Sequence, residues 1–212
     1  MEIFSQSIFI SEIQLQCRFA IYASQDVKGA CEAMGSNIRD LERRKALHGE
    51  VFRAIHSLLT HLSNVSLILW PSEPSKANGE SDEAYEVRLQ TKAKIRRSRA
   101  LRATLGLETE HPLKSRTLRD HLEHYDERLD KWDENSAKKN IVSNFIGPLN
   151  AIVGIDPTDR MRSFDPATTE FTFRGETFNL SILVQATAAL YERIGPILEK
   201  LIENRMDGYV KK

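Results

Sequence analysis

The sequence predicts a mainly α-helical protein, an antiparallel bundle of about five helices carrying one small β-hairpin at about Thr169–Leu180. Three observations predict it. Apolar residues recur at spacings of three and four along most of the 212-residue chain, the period of a helix with one buried face. Glycines and prolines fall where those periodic stretches end. One segment alone alternates apolar and polar residues about a Gly-containing turn. Connections between the helices are mostly short, which favours antiparallel neighbours. With no internal repeat and no low-complexity tract, residues 1–212 read as one domain, with a mobile loop at about 71–81 and a hairpin insertion at about 165–180.

The first helix is expected from Ile10 to Met34, where Ile10, Ile13, Cys17, Ala20, Ser24, Val27, Cys31 and Met34 share one stripe. Gly35 stops it and Ser36 is placed to cap the next. The second helix is expected over about Asn37–Trp70, with Ile38, Leu41, Val51, Phe52, Ile55, Leu58, Leu59, Leu62, Val65 and Leu69 inward, and Pro71 ends it. The Pro-, Ser-, Gly- and Asn-rich stretch that follows reads as the mobile loop, with Ser81 as the next N-cap. A third helix, about Asp82–Leu105 and closed by Gly106, carries Lys92, Lys94, Arg96, Arg97, Arg99 and Arg102. That run reads either as a solvated face or as a contact surface for RNA phosphates.

The fourth helix, about Arg116–Asp133, has two distinct faces. Leu118, Leu122, Tyr125, Leu129 and Trp132 recur at spacings of four, three, four and three and form a buried stripe. Residues 140–165 read as mostly irregular. In the hairpin, a two-residue turn at Arg174-Gly175 sets Phe171 opposite Phe178, on one face with Phe173 and Leu180. The last helix, about Ser181–Met206, is expected to bend at Gly195-Pro196.

Composition narrows the function classes. Hydrophobic residues at 41% and charged residues at 28% exclude a disordered or fibrous chain. A formal net charge of +0 gives no global attraction to nucleic acid or membrane, so an anion-binding surface must be local. Cys17 and Cys31 lie about 21 Å apart along one helix, too far for a disulfide. Both fall on a stripe that reads as buried, which suggests a reducing compartment and makes a cysteine nucleophile an unfavoured reading. Residues 1–10 lack the basic start of a signal peptide, and no apolar run reaches the roughly 18 residues of a membrane span. A cytoplasmic protein without a membrane partner is expected.

The outward face of the fourth helix holds Arg119, Asp120, Glu123 and His124. Asp120 and His124, at i and i+4, place a carboxylate where it orients an imidazole, and Arg119 supplies a fixed positive charge for a phosphate. His121 and His124 lack a third ligand and the His-Glu-x-x-His pattern, so no metal or other cofactor is expected. Gly-rich phosphate loops and Gly-x-Ser-x-Gly are absent.

The run Arg119-Asp120-His121-Leu122-Glu123-His124 resembles the Arg-x4–6-His signature of HEPN domains, in which a polar residue commonly follows the arginine. Arg43/His48 and Arg116/His121 also fit the spacing; His48 falls on an inner stripe, and Arg116 is followed by Thr117 with His121 at the buried edge. The resemblance implies a helical bundle and a homodimer, with metal-independent endoribonuclease activity of the kind found in toxin–antitoxin and defence systems. It would make His124 the general base or acid, Arg119 the stabiliser of the phosphorane and Asp120 the orienting group. RNA and an antitoxin or other protein partner follow as expected partners. The alternative is a non-catalytic helical module for binding or dimerisation.

Overall fold

The computed structural model describes residues 2–35, 39–115 and 124–210, with side chains in the last helix through Asn204. Among them the chain is mainly helical. Its helices are α1 (Ile3–Gly35), α2 (Leu41–Leu69), α3 (Asp82–Thr91), α4 (Ala93–Leu105), α5 (Tyr125–Asn135) and α6 (Leu180–Val210). Four short strands, β1 (Phe145–Ile146), β2 (Arg162–Asp165), β3 (Glu170–Phe173) and β4 (Glu176–Asn179), form one sheet in that order.

The chain predicted as one domain groups into two compact units. The first comprises Met1–Phe19, His61–Ser115 and Ala186–Lys212, the second Ala20–Thr60 and Arg116–Gln185. In the first unit Ile10, Ile13 and Cys17 of α1, Leu62, Val65 and Leu69 of α2, Leu101 and Leu105 of α4, and Leu190 and Ile194 of α6 are buried. Arg102 donates to the Leu69 carbonyl, and Arg193 to the carbonyls of Leu105 and Gly106, so two helix C-termini end on guanidinium donors. In the second unit the buried residues are Ala20, Ala23, Val27 and Ala30 of α1, Val51 to Leu59 on the inner face of α2, and Met161, Phe164, Phe171 and Phe173 of the sheet region.

The inner stripe of α2 matches the periodic pattern from Val51 onward, whereas Leu41 is 62% exposed. The cap of α2 is Asp40, whose Oδ1 accepts from the amides of Glu42 and Arg43; Ser36 and Ile38 lie outside the described residues. On α1 the buried line runs through Ala23 and Ala30, leaving Ser24, Cys31 and Met34 half-buried. Cys31 therefore corrects the reading of two buried thiols.

The single helix expected over Asp82–Leu105 is broken at Lys92, whose backbone is extended at φ −83°, ψ 114°. No proline or glycine causes this. Within α4, Ile95, Ser98, Leu101 and Leu105 are buried, and on an unbroken helix Leu89 would lie about 175° from their mean direction at 100° per residue. The break brings Leu89 to zero exposure, and Arg96 donates to the Gln90 carbonyl near the end of α3. The loop before α3 lacks regular structure, but its ends are tied. Arg88 pairs with Glu80 and donates to the Ser75 carbonyl, and the Tyr85 hydroxyl donates to Pro74.

The hairpin forms as its sequence dictates. Arg174 and Gly175 both take positive φ, 46° and 87°, the requirement of a type I′ turn, and Phe171 pairs with Phe178. The sheet, however, is larger than a hairpin and mixed. β2 pairs antiparallel with β3, and β1 runs parallel to β2 through Phe145 and Ile146. The segment read as irregular supplies both added strands. α6 begins directly after β4, with Asn179 Oδ1 accepting from the Ile182 amide, and continues through Pro196.

Candidate functional site

The described helix α5 begins at Tyr125; the expected start at Arg116 lies outside the described residues. His124 stands at its N-cap position with a non-helical backbone, φ −117°, ψ 39°, so the described helix starts immediately after the histidine. Arg119 and Asp120, together with Leu118 and Leu122, lie in residues 116–123, outside the described residues; the pairing of Asp120 with His124 lies there too.

The His124 side chain is 49% exposed, and its Nδ1 lies 3.0 Å from Glu127 Oε1. A carboxylate accepts, so Nδ1–H donates and the neutral ring keeps its lone pair on Nε2. Glu127 occupies the third position after the cap, where an acidic side chain reaches back across the first turn. Sequence reasoning missed this partner because it placed His124 inside a helix and sought its carboxylate at i−4.

The apolar stripe of α5 faces the sheet of the same unit. The Tyr125 ring meets Phe173 edge-on with centroids 5.9 Å apart, and Arg162 Cζ sits 4.8 Å from the centre of the Tyr125 ring. The Trp132 indole donates to the Asn140 carbonyl at 2.8 Å, and Arg174 donates to the Arg128 carbonyl. Tyr125, Leu129 and Trp132 are nonetheless half-buried, and α5 has no fully buried residue. The stripe expected to be core is thus a seam at the sheet.

Charge is unevenly arranged about α5. Measured from Tyr125 at 100° per residue, Asp126, Asp130, Asp133 and Glu134 fall between about 80° and 180°, and Arg128 and Lys131 at about 300° and 240°. All four acids are exposed. Arg128, Arg162 and Arg174 come from a helix, a strand and a turn, and none forms an ion pair with a carboxylate among the described residues, unlike Arg53, Arg88 and Arg99. The Nε atoms of Arg128 and Arg162 are buried without a hydrogen-bond partner. Burial and then the charge of Arg128 hold the Arg174 guanidinium below its ordinary range, opposed by the buried Asp159. The Nε atoms of Arg97 and Arg160 are likewise without a partner, but Arg160 closes its terminal nitrogens on the carbonyls of Leu149 and Ile152 and Arg97 lies over the Phe9 ring.

The basic run named for RNA is largely committed to its own unit. Arg99 holds Glu86 through two bonds, Arg96 and Arg102 donate to carbonyls, and Arg97 lies over the Phe9 ring at 4.8 Å. Lys92 and Lys94 are exposed. His48 is half-buried beside Phe52, and burial lowers its pKa.

Two further features complete the chemistry. In the first unit His111 stacks on Trp70 with centroids 5.1 Å apart, accepts the Leu113 amide through Nδ1, and lines a pocket of about 210 Å³ with Arg193, Glu108 and Glu110. Burial first, then Arg193, lowers its pKa. In the second unit Val27, Cys31, Leu58, Phe164, Leu180 and Val184 line a mainly apolar cavity of about 380 Å³. Among the described residues no three His, Cys, Asp or Glu side chains gather as metal ligands, and no helix is long and apolar enough to cross a membrane. No family model, curated protein or solved structure matches the chain.

Proposed function

We propose that the protein is a metal-independent endoribonuclease of HEPN type, an antiparallel helical bundle that works in the cytoplasm as a homodimer. The observation that supports this most is the exposed His124, with Nδ1 directed to Glu127 and Nε2 free of it to act as a base. In this reading Nε2 takes the proton of an RNA 2′-hydroxyl and the 2′-oxygen attacks phosphorus. The bond to the 5′-oxygen breaks, and that oxygen takes a proton from water. The products are a 2′,3′-cyclic phosphate and a 5′-hydroxyl. Arg119 would stabilise the phosphorane and Asp120 would orient the groups, as the motif implies.

The test is cleavage of RNA in EDTA by wild type beside His124→Ala and Arg119→Ala. Loss of a general base costs typically 10²–10⁴-fold in rate and loss of a transition-state charge stabiliser about 10²–10³-fold, so each variant should fall by about two orders of magnitude or more. Cleavage that survived both substitutions, or none by wild type, would end the reading. The mass in solution at micromolar concentration should be that of two chains.

A second reading is supported by the exposed acidic arc Asp126, Asp130, Asp133 and Glu134, which repels a polyanion and suits a basic protein partner. It makes the protein a non-catalytic binding or dimerisation module. Its outcome in the same experiment is no cleavage by any form.

A further inference from the structure

We propose that Arg128, Arg162 and Arg174 form a cradle for a phosphoryl oxyanion on the sheet side of α5. Arg162 and Arg174 come from positions far from α5 in the chain and reach the turn of the helix that carries Arg128. Arg162 covers Tyr125, and Arg174 reaches the carbonyl of Arg128, three residues further along. The register sets Arg162 opposite Phe173, the ring that Tyr125 packs on, and Arg174 follows Phe173 in the chain.

The arrangement is costly unless something answers its charge. Guanidinium N–H groups buried without an acceptor lose hydrogen bonds that water would have supplied, and that is the state of Nε in Arg128 and Arg162. Like charges gathered away from water repel. The carboxylates at hand among the described residues are the buried Asp159 and Glu127, which adjoins Arg128 in the chain; Glu127 hydrogen-bonds His124 but keeps its negative charge, so three arginines less two carboxylates leave +1. An excess of one matches one phosphodiester, and planar guanidinium forks suit phosphate oxygens. The cradle rests on the arginines alone; taking its ligand to be RNA rests on the ribonuclease reading.

Two probes separate the sources of that anion. The first is the thermal midpoint of the full chain in inorganic phosphate against chloride of equal ionic strength. The second is anisotropy of a fluorescein-labelled single-stranded RNA on the His124→Ala chain across a salt series, so that binding is read without cleavage. Arg128→Gln and Arg162→Gln should each remove most of the phosphate-dependent rise in midpoint. They should also weaken RNA binding by roughly threefold to tenfold and flatten its logarithmic salt slope by about 0.7.

Among the described residues the Arg128 side chain makes no hydrogen bond or ring contact, so Arg128→Gln should fold. For Arg162, which lies over Tyr125, Arg162→Lys keeps the charge as a second variant and should retain more of both responses. A response to phosphate alone identifies a monoester, a response to RNA alone a diester chain, and each upholds the cradle. If neither probe distinguishes the variants from their parent, the cradle is wrong. Arginine-dependent RNA binding by a chain that does not cleave removes the ribonuclease reading and leaves the cradle standing.

Discussion

The two groups of arginines in this molecule differ in what answers their charge. Along α4, in the first unit, Arg99 faces a carboxylate, Arg96 and Arg102 face carbonyls, and Arg97 faces a ring. Around α5, in the second unit, Arg128, Arg162 and Arg174 share the ring and hydroxyl of Tyr125 and one carbonyl, with no ion-paired carboxylate among the described residues. Density of positive charge in the sequence points to α4. Lack of internal partners points to α5, and the second is the better guide to an external anion, because a charge already answered has little left to offer. Each region also holds a histidine: His111 is half-buried and stacked, His124 exposed and hydrogen-bonded to a carboxylate.

The comparison is most exposed at Arg102. Arg102→Ala leaves the Leu69 carbonyl, at a residue with no solvent exposure, without its donor. A loss of about 1–3 kcal/mol in urea unfolding is expected, and an unchanged midpoint would mean that the α4 arginines are not structural. His111 gives a smaller, pH-dependent effect. Its folded pKa is lowered from 6.5, so its contribution is fully present above that pH. Below it the unfolded chain binds a proton that the folded chain refuses, and stability falls. His111→Asn keeps an acceptor for the Leu113 amide and should make thermal stability fall less between pH 7 and about 5. His48 and His61, lowered in the same way, should preserve the remainder of the slope. The smallest effect is expected at Arg128: in phosphate-free buffer Arg128→Gln should leave the midpoint unchanged or slightly raised, since it removes repulsion and no side-chain hydrogen bond among the described residues. A clear fall would place Arg128 with the structural group.

What could be read in advance follows the range of the interactions concerned. The stripe from Val51 to Leu69 was legible because a helix repeats its buried face every three or four residues. The hairpin was legible because Gly175 and its flanking phenylalanines are local signals. The break at Lys92 was not, because it serves the burial of Leu89, a tertiary demand without a local marker. β1 and β2 pair in parallel through two residues each, too short for alternation to show. At the candidate site, Glu127 as the described partner of His124 was not legible, because it depends on the non-helical backbone at His124, which no local residue signals. The arginines around Tyr125 were invisible for another reason: 34 residues separate Arg128 from Arg162, and only the sheet brings them together.

The two cysteines of α1 have opposite fates, and that has a practical use. Cys17 has no exposure and burial pushes its thiol up to about 12, which withholds the thiolate that alkylating reagents need. Cys31, half-buried at the wall of the apolar cavity, has its thiol raised as well, by burial and then by Glu32, but of the two it alone keeps solvent exposure and is the thiol that a maleimide can reach. The native chain therefore carries a one-position attachment point for a fluorophore, and a dye placed there would follow the second unit through binding or unfolding with no cysteine engineered in or out.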